Sequence, residues 1–214
     1  VLFRSRTKEN VMKSVKKEFV KIIAIYSPIH RVGKTSFAIA FGKELAKFKK
    51  VLYLNMEEYF GYGEMFEQID NGNLGDALYY TKQENSNFGL RLRMLVRTID
   101  ELDYIPPMPV SLDLKEVLWE EWKVLFKQIV EDSVYEVILL DIGESVQGLL
   151  KMLDLCDRIY MPVLEDDVSQ EKMRQYEENL QKLQLERLME KTYMFIGLQD
   201  IENKMRQLVK EEVL

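Results

Sequence analysis

Gly33, Lys34 and Thr35 stand in the order that closes a phosphate-binding loop, within the stretch YSPIHRVGKTSFA from Tyr26 to Ala38. Such a loop joins a strand to a helix, so that the first helical amides and the positive end of the helix dipole meet phosphate oxygens. The lysine would reach the outer phosphates as a point charge, and the threonine hydroxyl would sit on Mg²⁺. The full pattern, G-x-x-x-x-G-K-[ST], asks for a glycine where this chain has Pro28, whose φ is fixed and which carries no N–H. His30 or Arg31 in a left-handed backbone would cost roughly 1–2 kcal/mol each. The candidate nucleotide-binding set is therefore Ile29, His30, Arg31, Val32, Gly33, Lys34, Thr35 and Ser36.

A second element adds weight to the loop. Phosphate-loop proteins place an acid at the end of a buried strand to hold Mg²⁺ or its water. The stretch VILLDIGES supplies Asp141 behind an apolar run, with Gly143 just after it. Taken alone, Asp141 could simply cap the next helix. Taken with Lys34 and Thr35, and on what should be an adjacent strand, it is the candidate metal acid. Thr35 and Asp141 are the metal-binding candidates.

The elements that must position these residues read as alternating strands and helices. KIIAIY (Lys21–Tyr26) is a continuous apolar run with β-branched residues, as in a buried parallel strand. A helix from Thr35 to Phe48 follows, then a strand VLYLN (Val51–Asn55). Helices are expected near Leu74–Tyr80 and Leu90–Ile99, a strand at Leu102–Pro107, and a long helix through Leu118, Trp122, Leu125, Phe126 and Ile129. YEVILLD (Tyr135–Asp141) is the most apolar strand. A helix around Val146–Leu155, the strand DRIYMPV (Asp157–Val163) and a helix ending near Leu183 come next. That last helix is expected to open on a capping box of Asp167 and Gln170. A strand TYMFIG (Thr192–Gly197) and a final helix through Ile201, Met205, Leu208 and Val209 close the chain. The alternation predicts a three-layer α/β fold, P-loop NTPase-like, with a mostly parallel central sheet.

Bulk properties bound the function. The length of 214 residues fits a basic linker or helix over 1–20 and one P-loop NTPase-like domain over 21–214. Val rather than Met at position 1 fits an excised domain or fragment. A net charge of −6 argues against broad nucleic-acid binding, and no nucleic-acid partner is expected. One cysteine, Cys156, and one histidine, His30, exclude disulfide frameworks and Cys/His zinc sites within the chain. No apolar run approaches the ~20 residues that span a bilayer. Glu202, Glu211 and Glu212 on the last helix would be repelled by anionic lipid. A cytoplasmic location without membrane insertion is the expectation.

The strand–GKT–helix start, VLYLNMEE after it, VILLDIGES, and LCDRIYMPVLEDDVSQEKM together resemble the MinD/ParA-type deviant Walker A ATPases. Within these the chain is most similar to the CpaE/TadZ-like branch, in which an ATPase-like domain often follows a receiver-like one. The resemblance runs from about Lys21 to Gly197. It implies Mg-bound ATP or ADP in the loop, a nucleotide-dependent homodimer, protein partners, and a role in positioning cellular machinery. Carried over by position, Asn55 and Glu57 fall where the family has switch I aspartates, the second of which orients the attacking water. Glu57 keeps that carboxylate; Asn55 loses it. Asp141 falls on the Walker B/switch II acid, so Glu57 and Asp141 are the catalytic candidates. The family's hallmark lysine aligns with Ile29, and its two loop glycines with His30 and Arg31. Such a cross-interface cation does work comparable to an arginine finger, worth ~10³–10⁵ in rate. Arg31 could replace it in part, since a guanidinium forks onto phosphate oxygens.

These features imply a nucleotide-gated localisation or assembly switch with weak or slow ATP hydrolysis. The alternative is a non-hydrolysing scaffold of the same fold that binds protein partners. A small-molecule kinase is disfavoured by the lack of an arginine-rich lid after Asp141, and a GTPase by the lack of an N-K-x-D motif.

Overall fold

The computed structural model describes residues 20–61, 72–83, 87–196 and 201–213. The helix expected within the first twenty residues therefore lies outside the described residues, as does Gly197. In chain order the elements are β1 (Lys21–Ile25), α1 (Lys34–Ala46), β2 (Val51–Met56), α2 (Leu74–Thr81), α3 (Phe88–Leu95), β3 (Arg97–Ile99) and β4 (Leu102–Ile105). They continue with α4 (Ser111–Glu116), α5 (Trp119–Asp132), β5 (Val137–Ile142), α6 (Leu149–Leu155), β6 (Arg158–Val163) and α7 (Asp167–Lys182). The chain ends with α8 (Arg187–Glu190), β7 (Thr192–Ile196) and α9 (Ile201–Val213).

The strands form one seven-stranded sheet in the order β3-β4-β2-β5-β1-β6-β7. All neighbours run parallel except the β3–β4 pair at one edge. The central strands β2 and β5 are buried along their whole length, which is why their sequences read as apolar runs, interrupted by Asn55 and Asp141 near their ends, instead of alternating ones. Alternate residues serve opposite faces. Ile22, Ala24, Leu52, Leu54, Ile138 and Leu140 join the core under α2, α3, α5, α6 and α7. Ile23, Ile25, Val51, Tyr53, Val137 and Leu139 join the core under α1 and α9. This is the three-layer architecture the alternation implied.

Two expectations are corrected. The helix expected at Leu90–Ile99 stops at Leu95, and Arg97–Ile99 form the edge strand β3, turned back onto β4 through Asp100 and Glu101. Both of those turn residues have positive φ, as a two-residue hairpin turn requires, but Asp-Glu is not a dipeptide that announces one. The cap of α7 is Asp166 and not Asp167: its carboxylate accepts from the Ser169 amide at 3.0 Å and from the Ser169 hydroxyl at 2.6 Å. Gln170 reaches back to the Glu165 carbonyl instead of closing a box. The short helices α4 and α8 had no periodic signal, being barely a turn or two long.

The final helix is a packing helix. Met205, Leu208 and Val209 are buried against the face that carries α1, and Glu212 is buried beneath them. The Glu212 carboxylate takes a hydrogen bond from the Tyr160 hydroxyl at 2.7 Å and pairs with Lys21 at 3.0 Å. Glu212 is therefore a buried anchor of this helix. Among the described residues, no helix is long and apolar enough to cross a membrane.

Candidate functional site

The register of three strands brings the candidate residues together. Ile25 at the end of β1 pairs with Asp141 on β5, and Asn55 on β2 pairs with the same Asp141. The loop leaving β1 and the segment leaving β2 thus flank one buried acid at the carboxyl edge of the sheet, where open α/β sheets form their ligand crevices. The expected adjacency of the loop strand and the acid-tipped strand is what the structure shows.

The loop turns back into α1 through Gly33, whose φ of 76° is left-handed. Arg31 also adopts a positive φ, 59°, so one of the two feared non-glycine strains is real; His30 avoids it. Two apolar residues hold the loop down. Ile29 is 5% exposed and Val32 4% exposed, and the Ile29 amide donates to the Ser27 hydroxyl at 3.1 Å. No side chain caps α1 at Gly33, and the residues that open the helix, Gly33 through Ser36, line a cleft of about 770 Å³. Ile29, His30, Arg31 and Val32 line it too, as do Glu57, Glu58, Tyr59, Glu144 and Ser145 from the opposite wall. His30 and Arg31 are exposed, and His30 Nε2 lies 3.5 Å from the Glu144 carboxylate.

Behind the cleft lies a polar knot. Asp141 is completely buried. Its Oδ2 accepts from the Tyr53 hydroxyl at 3.1 Å and from the Asn55 amide at 3.3 Å. Its Oδ1 has no hydrogen-bond partner and faces Lys34 Nζ at 3.8 Å. Burial pushes the Asp141 carboxyl up to about 6, against the pull of Lys34 and of the Thr35 hydroxyl, with Glu57 adding to the rise. Burial and the neighbouring Asp141 charge hold the Tyr53 phenol far above its ordinary range, so it remains a donor. Lys34 forms an ion pair with Glu57 and donates to the Ile142 carbonyl.

This arrangement explains the uncharged residue at 55. A carboxylate there would stand opposite Asp141 in a solvent-free site, and two such groups cannot both ionise cheaply. The amide of Asn55 donates to Asp141 instead, while its Oδ1 accepts from the Glu57 amide at 3.0 Å. Sequence reasoning missed Tyr53, which reads as one more apolar strand residue. The available signal was period two: Tyr53 lies two residues before Asn55 and shares its face of β2. It also missed the acids of the far wall, Glu58 and Glu144, each of which closely follows the end of a strand.

The donor set fits a hard divalent cation carried by phosphate. Asp141 Oδ1 is a buried oxygen with no close hydrogen bond, its nearest cation Lys34 at 3.8 Å, and Thr35 stands beside it. Mg²⁺ characteristically takes one or two protein oxygens and fills its other positions with phosphate oxygens and water. Among the described residues, no group of three or more His, Cys, Asp or Glu side chains is placed to hold a metal unaided. The lining charges point the same way. Lys34 and Arg31 face Glu57, Glu58 and Glu144, a balance that a bare polyphosphate would find repulsive.

No family model matches the sequence, and no curated protein matches it. Solved structures do match the fold. A ParA family ATPase from Chlorobium tepidum TLS superposes with a TM-score of 0.67 at 15% identity, covering 90% of this chain and 80% of the other. A putative plasmid partition protein from Borrelia burgdorferi B31, bound to AMPPNP, gives 0.63 at 20% identity, covering 90% and 83%. The MinC:MinD cell division protein complex of Aquifex aeolicus gives 0.60 at 18% identity, covering 91% and 76%. The chain has the P-loop NTPase-like fold of the MinD/ParA ATPases.

Proposed function

We propose that the chain binds Mg-ATP or Mg-ADP in the loop from Ile29 to Ser36 and works as a nucleotide-gated localisation or assembly switch of the MinD/ParA type. The supporting observation is the orphaned Asp141 Oδ1, fully buried beside Lys34 and Thr35 at the end of the strand paired with β1. The similar protein from B. burgdorferi was solved with AMPPNP, in keeping with that ligand. Thr35 and Asp141 would hold the metal, which when bound supplies the positive charge that the cleft lacks. Lys34 would reach the outer phosphates, and the helix-start amides of α1 would cradle the inner ones. Glu57, released from Lys34, would orient the attacking water.

Slow turnover, partner proteins, a nucleotide-dependent homodimer and placement in the CpaE/TadZ-like branch complete the proposal. One observation favours the alternative of a non-hydrolysing scaffold. Ile29 occupies the position of the hallmark lysine and is buried, so no cation can reach across an interface from that residue. Arg31 is the exposed cation of the loop and the remaining candidate for that work.

Isothermal titration with ATP, ADP and GTP, with and without Mg²⁺, tests the binding claim. Lys34→Ala should lose at least tenfold in affinity, about 1.4 kcal/mol or more. Equal affinity in the two proteins would refute the assignment of the loop. Phosphate release measured on the same pair then separates slow hydrolysis from none.

A further inference from the structure

The ammonium that a bound polyphosphate needs is already taken. Lys34 is paired with Glu57 and with the Ile142 carbonyl, and Asp141 Oδ1 lies 3.8 Å away. The side chains of Lys34 and Glu57 are only 13% and 24% exposed, so bulk water screens this pair far less than one on an open surface.

Glu57 is held in place by features that do not involve Lys34. Its amide donates to Asn55 Oδ1 at 3.0 Å, and Asn55 is itself buried and bonded to Asp141. Gly143 leaves the room for its carboxylate: a Cβ at that position would come within 2.9 Å of Glu57 Oε2 and of the Met56 carbonyl. The Gly143 amide in turn donates to that carbonyl at 3.1 Å, tying the ends of β2 and β5 together. An arriving phosphate must compete with a prepositioned carboxylate for one cation while two carboxylates repel it.

We propose that Glu57 is a latch that occupies Lys34 in the ligand-free chain and yields to a metal-loaded polyphosphate, making it the residue that sets the site's preference for metal-bound over metal-free nucleotide. This rests on the nucleotide reading above. A divalent cation beside Asp141 offsets the charge that opposes the phosphate, so the exchange of partners at Lys34 becomes favourable only when metal and phosphate arrive together. Glu57 is followed by a segment that runs to the surface. The next residue, Glu58, pairs with Lys115 of α4 at 2.9 Å. Tyr59 follows, 82% exposed, and lines both the phosphate cleft and an adjoining groove with Phe60, Pro109 and Val110.

Two measurements test the latch. In EDTA and without nucleotide, urea midpoints are determined for the wild type, Lys34→Met, Glu57→Gln and the double variant. The latch requires the second substitution to shift the midpoint less once the first is present; shifts that simply add overturn it. Calorimetry then compares ATP binding with and without Mg²⁺. Glu57→Gln should bind metal-free ATP at least tenfold more tightly than the wild type, and the gain from Mg²⁺ should shrink by a similar factor. Equal or weaker metal-free binding by Glu57→Gln, with the wild type binding Mg-ATP, overturns the latch and leaves the nucleotide reading standing. Binding of ATP by neither protein in either condition overturns the nucleotide reading, and the Lys34–Glu57 pair is then a permanent contact and no latch. If Glu57→Gln does not fold, Glu57→Ala in the same two assays gives the decision.

Discussion

Asp141→Asn should make the ligand-free chain more stable at pH 8 and leave it little changed at pH 4. Asp141 is fully buried, and its carboxyl is pushed up to about 6 from an ordinary value of 3.8. The native state therefore holds this proton more tightly than the unfolded chain does. Its contribution is fully present below the unfolded value and is lost as pH rises through about 6. At ~1.36 kcal/mol per unit, a shift of this size corresponds to roughly 3 kcal/mol lost across that window. Asparagine keeps the shape and removes the charge. The change also deprives Lys34 of an attractive charge 3.8 Å away, although Lys34 keeps Glu57 and the Ile142 carbonyl. The net gain at pH 8 should then be about 1–3 kcal/mol, or roughly 2–4 °C in Tm per kcal/mol for a chain of this size. Thermal and urea unfolding in EDTA from pH 4 to pH 8 checks it, always as variant minus wild type so that the other carboxylates cancel. The same variant should bind Mg-ATP more weakly. A variant destabilised equally at both ends of the pH range would refute the claim that this carboxylate is held at a cost to the fold.

Asn55→Asp should lower stability at pH 8 by about 1–3 kcal/mol, since it replaces a donor to Asp141 with a second buried acid. The loss should shrink toward pH 4, as followed by urea unfolding. Ile29→Lys should not restore a cross-interface cation: it puts an ammonium where the side chain is 5% exposed, so stability should fall by about 2 kcal/mol or more and ATP turnover should not rise. Phosphate release and thermal unfolding on that single variant decide the point.

What the sequence made legible follows from where its signals are strong. The strands β1, β2 and β5 are long enough and apolar enough to be recognised without partners, and a βαβ alternation then constrains their order. That Lys34 and Thr35 would meet Asp141 was legible because residues just after neighbouring parallel strands converge at the carboxyl edge of the sheet. The edge strand β3 was not, because three residues after a helix carry no period of their own, and Arg97 and Thr98 continue a helical spacing as readily as they begin a strand. The capping residue of α7 was displaced by one position because Asp166 and Asp167 are chemically alike, and only the direction of the Ser169 amide distinguishes them. The burial of Ile29 and Glu212 could not be read at all. That of Glu212 depends on what the sheet beneath α9 offers, Tyr160 with Lys21.

The departures of this loop from the pattern it resembles are not independent of one another. Here the carboxylate absent at 55 is the one that would stand opposite Asp141, and the residue present donates to Asp141 and accepts from the Glu57 amide. The carboxylate kept at 57 is the one with a cation to meet, Lys34. At 143 the absent side chain makes room for that carboxylate. Asp141 Oδ1, one of four buried side-chain atoms without a hydrogen-bond partner among the described residues, faces the Lys34 ammonium at 3.8 Å. An unpartnered buried oxygen at the end of a central strand costs stability in the free chain. Its position beside Lys34 and Thr35 is what argues that the cost is met by a ligand.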